Sequence, residues 1–144
     1  MSSLNTKVQL QVASFDINSA ADKGTMYVPP GRWSVVYIWV LPLGTDTGGA
    51  TIKFDSALAG SAGSRGDGDV GVITIPASDQ QDNMIYETPA NSSGGIPVIL
   101  EAGDKVVVQV TAEGGGSTNA IAGMVLEEYP EQPGNLTYMV ATSN

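Results

Sequence analysis

Residues 66–71, Gly66-Asp67-Gly68-Asp69-Val70-Gly71, are the first place in this chain where types and spacing could do chemistry. They match G-x-G-x-x-G, which cradles a dinucleotide pyrophosphate when a strand precedes it and a helix follows. Here a glycine-rich loop precedes it, a β pattern follows, and two aspartates inside it repel phosphate, so the match carries no nucleotide site. Asp67 and Asp69 could offer oxygen ligands to calcium, but the twelve-residue loop ending in Glu is missing, and a solvated acidic loop is the simpler expectation. Arg65-Gly66-Asp67 is the tripeptide that integrins read, a string short enough to arise by chance. Glu127 and Glu128 are adjacent on an expected strand and face opposite ways, so they form an acidic rim with Glu131 rather than a shared acid–base site. None of Lys7, Lys23, Lys53 and Lys105 has the apolar surroundings that would make it a base for one of the many serines. The chain holds no histidine and no cysteine. That excludes imidazole general-base chemistry, histidine triads, thiolate metal sites and a disulfide framework. The sequence supports no catalytic residue and calls for no cofactor or metal. Asn91-Ser92-Ser93 and Asn135-Leu136-Thr137 fit the N-glycosylation pattern, which has meaning only in a secretory pathway.

The elements that position these residues read as all-β. Val8, Leu10 and Val12 alternate with Lys7, Gln9 and Gln11, the period of a half-buried strand. Thr25 to Val28 is a short strand that ends at Pro29-Pro30-Gly31, and Trp33 to Leu41 follows as the strongest strand in the chain. Further strands are expected at Ala50 to Asp55, Val70 to Ile75, Ile96 to Leu100, Lys105 to Ala112, Ala120 to Tyr129 and Leu136 to Ala141. About eight or nine strands predict an antiparallel two-sheet sandwich of jelly-roll type. Residues 14–23 offer at most one helical turn. Val28-Pro29-Pro30-Gly31 and Leu100-Glu101-Ala102-Gly103 echo each other, with an apolar residue three before a glycine and a valine four after it, and predict two similar sandwich corners. Residues 1–144 form one domain, with a lead-in at 1–5 and an extension at 130–144 that begins with a proline-rich spacer. Leu136, Tyr138 and Val140 then alternate with Thr137, Met139 and Ala141, a β segment that could pair at home or on a neighbour's sheet edge.

Two strands are apolar on both faces. Strict alternation places Trp33, Val35, Tyr37, Trp39 and Leu41 on one side, and Val36, Ile38 and Val40 on the other. Val106, Val108 and Val110 stand opposite Val107 in the same way. A two-layer sandwich normally leaves one face of each strand to solvent. The second face therefore needs a folded-back loop, another copy of the chain, or a sugar ring to stack on it. Trp33, Tyr37 and Trp39 are the candidate interface residues, because Trp and Tyr anchor protein interfaces.

Six basic against 15 acidic residues give a formal net charge of -9. That field repels a phosphate backbone and argues against nucleic acid as a partner. The longest apolar stretch, Val35 to Leu43, is about half the roughly 18 residues of a membrane span, so no membrane is expected. The first seven residues lack the apolar core of a signal peptide, which predicts synthesis and folding in the cytoplasm.

Residues 27–33 lead into a long apolar strand, residues 44–52 into a glycine-rich loop, and residues 100–106 into another long strand. This patterning resembles the small β-sandwich proteins encoded among the head genes of tailed bacteriophages, over about Gly24 to Tyr129. Members of that group decorate or cement the outer capsid surface, commonly as trimers. The resemblance implies a structural, non-enzymatic virion protein on the capsid surface, made in the host cytoplasm. Its partners would be other copies in a homotrimer and the major capsid protein, with the Trp33, Tyr37 and Trp39 face packed within the trimer or the core. The same corner occurs in other jelly rolls, including tumour-necrosis-factor-like and complement-globular-like trimers. A carbohydrate- or receptor-binding sandwich, such as a fibre or lectin-like module, is the alternative, with Tyr86, Tyr129 and Tyr138 as available aromatics.

Overall fold

The structure is a computed structural model, and it describes residues 6–44, 49–57, 68–76, 85–93, 96–112 and 119–129. Among these residues every element is a strand. In chain order they are β1 (Lys7–Asp16), β2 (Ala21–Tyr27), β3 (Arg32–Pro42), β4 (Ala50–Ala57), β5 (Gly71–Ile75), β6 (Tyr86–Pro89), β7 (Ser92–Ser93), β8 (Ile96–Pro97), β9 (Ile99–Glu101), β10 (Lys105–Ala112) and β11 (Asn119–Glu128). Nine of them build two antiparallel sheets. The first has the order β1-β11-β3-β6, with β9 continuing the β6 edge of β3; the second has the order β2-β10-β4-β5. Between β6 and β9 the chain leaves that edge as the small β7–β8 ribbon. Successive strands of the first half alternate between the sheets, and the last two, β10 and β11, enter the middle of each. That is a jelly roll.

The sandwich closes on an apolar layer to which each sheet contributes alternate residues. Ile38, Val40, Met124 and Leu126 from the first sheet meet Ile52, Phe54, Val106 and Val108 from the second, all fully buried. The two corners expected from the sequence echo lie side by side. Gly31 and Gly103 sit at φ of 114° and 84°, a left-handed region that costs a side chain about 1–2 kcal/mol. The Val28 amide donates to the Asp104 carbonyl (2.9 Å), and the Gly103 amide donates to the Val28 carbonyl (3.0 Å). The Trp33 indole N–H donates to the carbonyls of Pro29 and Pro30, both at 3.2 Å, which pins the first corner to the core.

Several elements differ from expectation: β2 begins at Ala21 rather than Thr25, and the short β7 is additional. β1 runs on to Asp16 and bends directly into β2, so residues 14–23 contain no helical turn. The segment Ile96 to Leu100 is split, because the Val98 carbonyl accepts from the Val35 amide (2.9 Å) at the point where the chain rejoins the β3 edge. β6 is additional: four residues ending in Pro89, tolerated because an edge strand can do without the N–H that proline lacks. The expected strand Leu136 to Ala141, the lead-in at 1–5 and the extension at 130–144 lie outside the described residues.

Candidate interaction face

A β-bulge in β3 decides which aromatic residues are available to a partner. Tyr37 lies opposite Val125 of β11, but Val35 lies opposite Leu126, so Val36 is an extra residue on the β3 side. Before the bulge Trp33 and Val35 point into the core; after it Ile38 and Val40 do. The single face expected for Trp33, Val35, Tyr37, Trp39 and Leu41 is therefore corrected. Trp33 is a core residue held by its own corner, whereas Tyr37, Trp39 and Leu41 stand on the outside of the first sheet.

The registers place those three in a continuous apolar patch. Tyr37 is flanked by Val125 and Pro89, Trp39 by Gly123 and Glu87, and Leu41 by Ile121. Gln9 and Gln11 of β1 border the patch beyond Val125 and Gly123. Val36 (38% exposed) and Ile85 (56% exposed) extend it at the β6 edge. Trp39 is only 9% exposed although it lies on the outer face. Gly123 contributes to this burial: a Cβ there would stand 2.5 Å from Trp39 Cζ2, so the indole packs closely against the bare glycine backbone. An indole this buried leaves little ring face for a sugar to stack on. A shallow depression of about 190 Å³ beside it is lined by Gln9, Tyr37, Leu41 and Glu87.

The outer face of the second sheet is different in kind. Val107 of β10 sits between Thr25 and Asp55, and Gln109 sits between Asp22 and Lys53. Thr74 of β5 pairs with Thr51. The expectation that β10 is apolar on both faces fails here, because Val107 is a lone valine among polar neighbours. The outer face of the second sheet is thus mixed, with Tyr27 and Val72 exposed among polar residues, whereas that of the first carries a continuous apolar patch.

The groups singled out for chemistry are spent on structure. The Asp69 carboxylate accepts from the Ser56 amide (2.7 Å) and from the Ser56 hydroxyl, tying the approach to β5 onto β4. The Gly68 amide donates to Asp55, a buried carboxylate. Asn91, the first glycosylation candidate, donates its side-chain amide to the carbonyls of Gly68 (3.0 Å) and Asp69 (3.3 Å). Asp69 is therefore a half-buried clamp rather than part of a solvated acidic loop; Arg65 and Asp67 lie outside the described residues. The bend at Gly68 leads straight into β5, so a strand rather than a helix follows the glycine motif. Among the described residues no three acidic side chains gather as metal ligands. Of the lysines, Lys23 is more enclosed than its sequence context suggests: its side chain is 8% exposed and its ammonium lies 3.3 Å from Asp16 Oδ2 and 2.8 Å from Ser19 Oγ. The Asn18 amide and then the Lys23 ammonium hold the Asp16 carboxyl below the usual aspartate value. This is a clip across the β1–β2 bend. Glu127 and Glu128 sit at the end of β11, where the Ser34 hydroxyl donates to the Glu127 carbonyl (3.3 Å) and the Arg32 guanidinium lies 5.5 Å from the Tyr129 ring.

No family model and no curated protein sequence matches this chain. Solved structures do. A chain of the acidic stable capsid structure of Helicobacter pylori bacteriophage KHP30 superimposes with a TM-score of 0.53 at 13% identity, covering 86% of this chain and 93% of that one. The Eiger TNF of S. frugiperda matches with a TM-score of 0.48 at 12% identity, over 89% of this chain and 96% of that one. A chain of the cyanophage Pam1 capsid asymmetric unit matches with a TM-score of 0.44 at 16% identity, over 90% and 89%. The likeness to the KHP30 chain establishes a shared fold.

Proposed function

We propose that this protein is a structural component of a phage virion that binds the outer surface of the capsid as a decoration, or cement, protein and stabilises the shell. The observation that carries the reading is the continuous apolar face, Tyr37, Trp39, Leu41, Ile121 and Val125, on a jelly roll that shares its fold with a chain of the KHP30 capsid structure. A face of this kind suits self-association, with Tyr37 and Trp39 packed between the copies of a homotrimer. The Asp69 carboxylate is committed to the Ser56 amide and hydroxyl rather than offered to a cation or a substrate, which fits a protein that grips rather than catalyses. A trimer at a local threefold axis would touch several major capsid protein subunits at once, and weak contacts made together hold far more strongly than each does singly. The acidic balance of the chain suits basic patches on the shell.

Sedimentation with expanded phage heads assembled without this protein tests the reading. Saturable co-sedimentation in multiples of three copies per site, with a raised temperature of shell disruption, is the expected result. Folded protein that stays in the supernatant at every concentration would contradict it. Glycan arrays run with and without calcium would then decide for the sugar-binding alternative.

A further inference from the structure

The two sheets have four edges, and three of them are guarded against pairing with another strand. β1 carries Lys7 and a bulge between Val12 and Phe15. β2 carries Asp22 and Lys23 and a register shift opposite Val108 and Gln109. The β6–β9 edge carries Glu87, Pro89 and Glu101. Charges, prolines and bulges are the devices that keep edges from templating a foreign strand. β5, Gly71-Val72-Ile73-Thr74-Ile75, has none of them, and Pro76 stops it after five residues. Among the described residues it pairs on one side only, with β4. Beside it a groove of about 550 Å³ opens between the edges of the two sheets, where Val72, Ile73, Ile85 and Tyr86 share the lining with Thr74, Thr88 and the Glu87 carboxylate of the β6 edge.

The occupant that fits a five-residue edge beside a groove of mixed character is an extended segment of about five residues with apolar side chains at alternate positions, at the end of an extended spacer. Residues 136–140 of this chain have that pattern: Leu136, Tyr138 and Val140 would face the groove, and Thr137 and Met139 the solvent. We infer that the β5 edge is completed by residues 136–141 of a second copy, added as an antiparallel strand.

A second copy is favoured by direction and reach. β11 ends at Glu128 beside Trp33, at the end of the sandwich where Lys105 meets Ala57. β4 runs toward that end and β5 runs away from it. A segment arriving from the same chain's Tyr129 would also run away from it, parallel to β5, whereas every pair in both sheets is antiparallel. It would also have to cross three strand spacings and one layer, about 17 Å in all. The six spacer residues 130–135 reach about 20–22 Å when fully extended, almost all of it used before pairing begins. A donor from a neighbouring copy meets neither constraint.

The absence of cysteine permits a direct test. A Thr74→Cys protein and a separate Met139→Cys protein are unfolded together in urea, refolded, and oxidised with oxidised glutathione. A disulfide-linked heterodimer at twice the 14.8 kDa chain mass is expected, at least tenfold more abundant than when Thr25→Cys, equally exposed on the same sheet, replaces Thr74→Cys. Adding Tyr138→Asp to the Met139→Cys protein should abolish the excess. Equal yields at both sites, or no heterodimer from proteins with native far-ultraviolet dichroism, would overturn the inference. So would a Thr74→Cys/Met139→Cys double variant that closes only within single chains. The assay contains no capsid, so its failure and the failure of shell binding are separate results.

Discussion

Replacing Gly123 with alanine tests whether close packing of the Trp39 indole on the glycine backbone builds the outer face. The new Cβ would stand 2.5 Å from Trp39 Cζ2 and 2.7 Å from Cε2, where carbon atoms prefer about 3.5–4.0 Å. The ring must lift by about 1 Å or swing toward solvent. The same Cβ meets the Leu10 carbonyl oxygen at 2.5 Å, so β1 must also shift along a ladder it shares with β11. Overpacking of one side chain costs about 1–3 kcal/mol, and two simultaneous clashes, one of them with backbone, place this variant near 2–3 kcal/mol. At about 4 °C per kcal/mol for a chain of this size, Tm falls by roughly 8–12 °C. Urea titration at neutral pH reads the loss directly. Tryptophan emission reads the cause, because the chain has two tryptophans and Trp33 stays in the core while Trp39 gains water and shifts the spectrum to the red. Adding Trp39→Leu to Gly123→Ala should recover part of the stability, as a coupling of about 0.5–3 kcal/mol between touching residues. A Gly123→Ala protein within about 0.5 kcal/mol of the parent, with unchanged emission, would refute the packing described for this face.

Three further perturbations follow from other parts of the structure. Asp69→Ala leaves the buried Ser56 amide and hydroxyl without their acceptor and should cost about 1–3 kcal/mol, with faster exchange of the Ser56 amide; unchanged exchange there would mean that Asp69 is no clamp. Asp16 has its folded pKa below its unfolded value, so its contribution is complete above about pH 4 and is lost as pH falls through the folded pKa. The stability difference between the parent and Asp16→Asn should accordingly be flat near neutrality and shrink below about pH 4, and a difference that persists undiminished to pH 2 would contradict the clip. Gly103→Ala should lower stability by about 1–2 kcal/mol because φ there is 84°, with Gly103→Asn milder; an alanine as stable as the glycine would mean that the corner relaxes to another turn.

The jelly roll was legible because most strands keep an unbroken period of two, as in Val8, Leu10 and Val12 or Val106, Val108 and Val110. The candidate face was legible only in part. A strand that is apolar on every residue from Val35 to Leu41 gives no polar marker for where a bulge falls, so nothing in its pattern separated Trp33 from Tyr37 and Trp39. The bulge is set by the partner strand β11, where Val125 and Leu126 face Tyr37 and Val35. Gly123 offered a clue: a glycine inside a strand signals close approach by something else, here an indole. β6 was missed because Pro89 and Glu87 speak against a strand unless it lies at an edge, and sequence does not say which strands are edges. Asp69 looked like a solvated loop residue because its acceptors' partner, Ser56, lies 13 positions away on β4.

If the apolar outer face of the first sheet joins copies of the chain, the particle mass must depend on it. Native mass in solution at low micromolar concentration, measured for the parent and for Trp39→Asp, tests it most directly. A parent particle near three times 14.8 kDa and a folded Trp39→Asp protein of single-chain mass are expected. A parent that is a clean monomer, or a Trp39→Asp protein that remains a folded trimer, would contradict it.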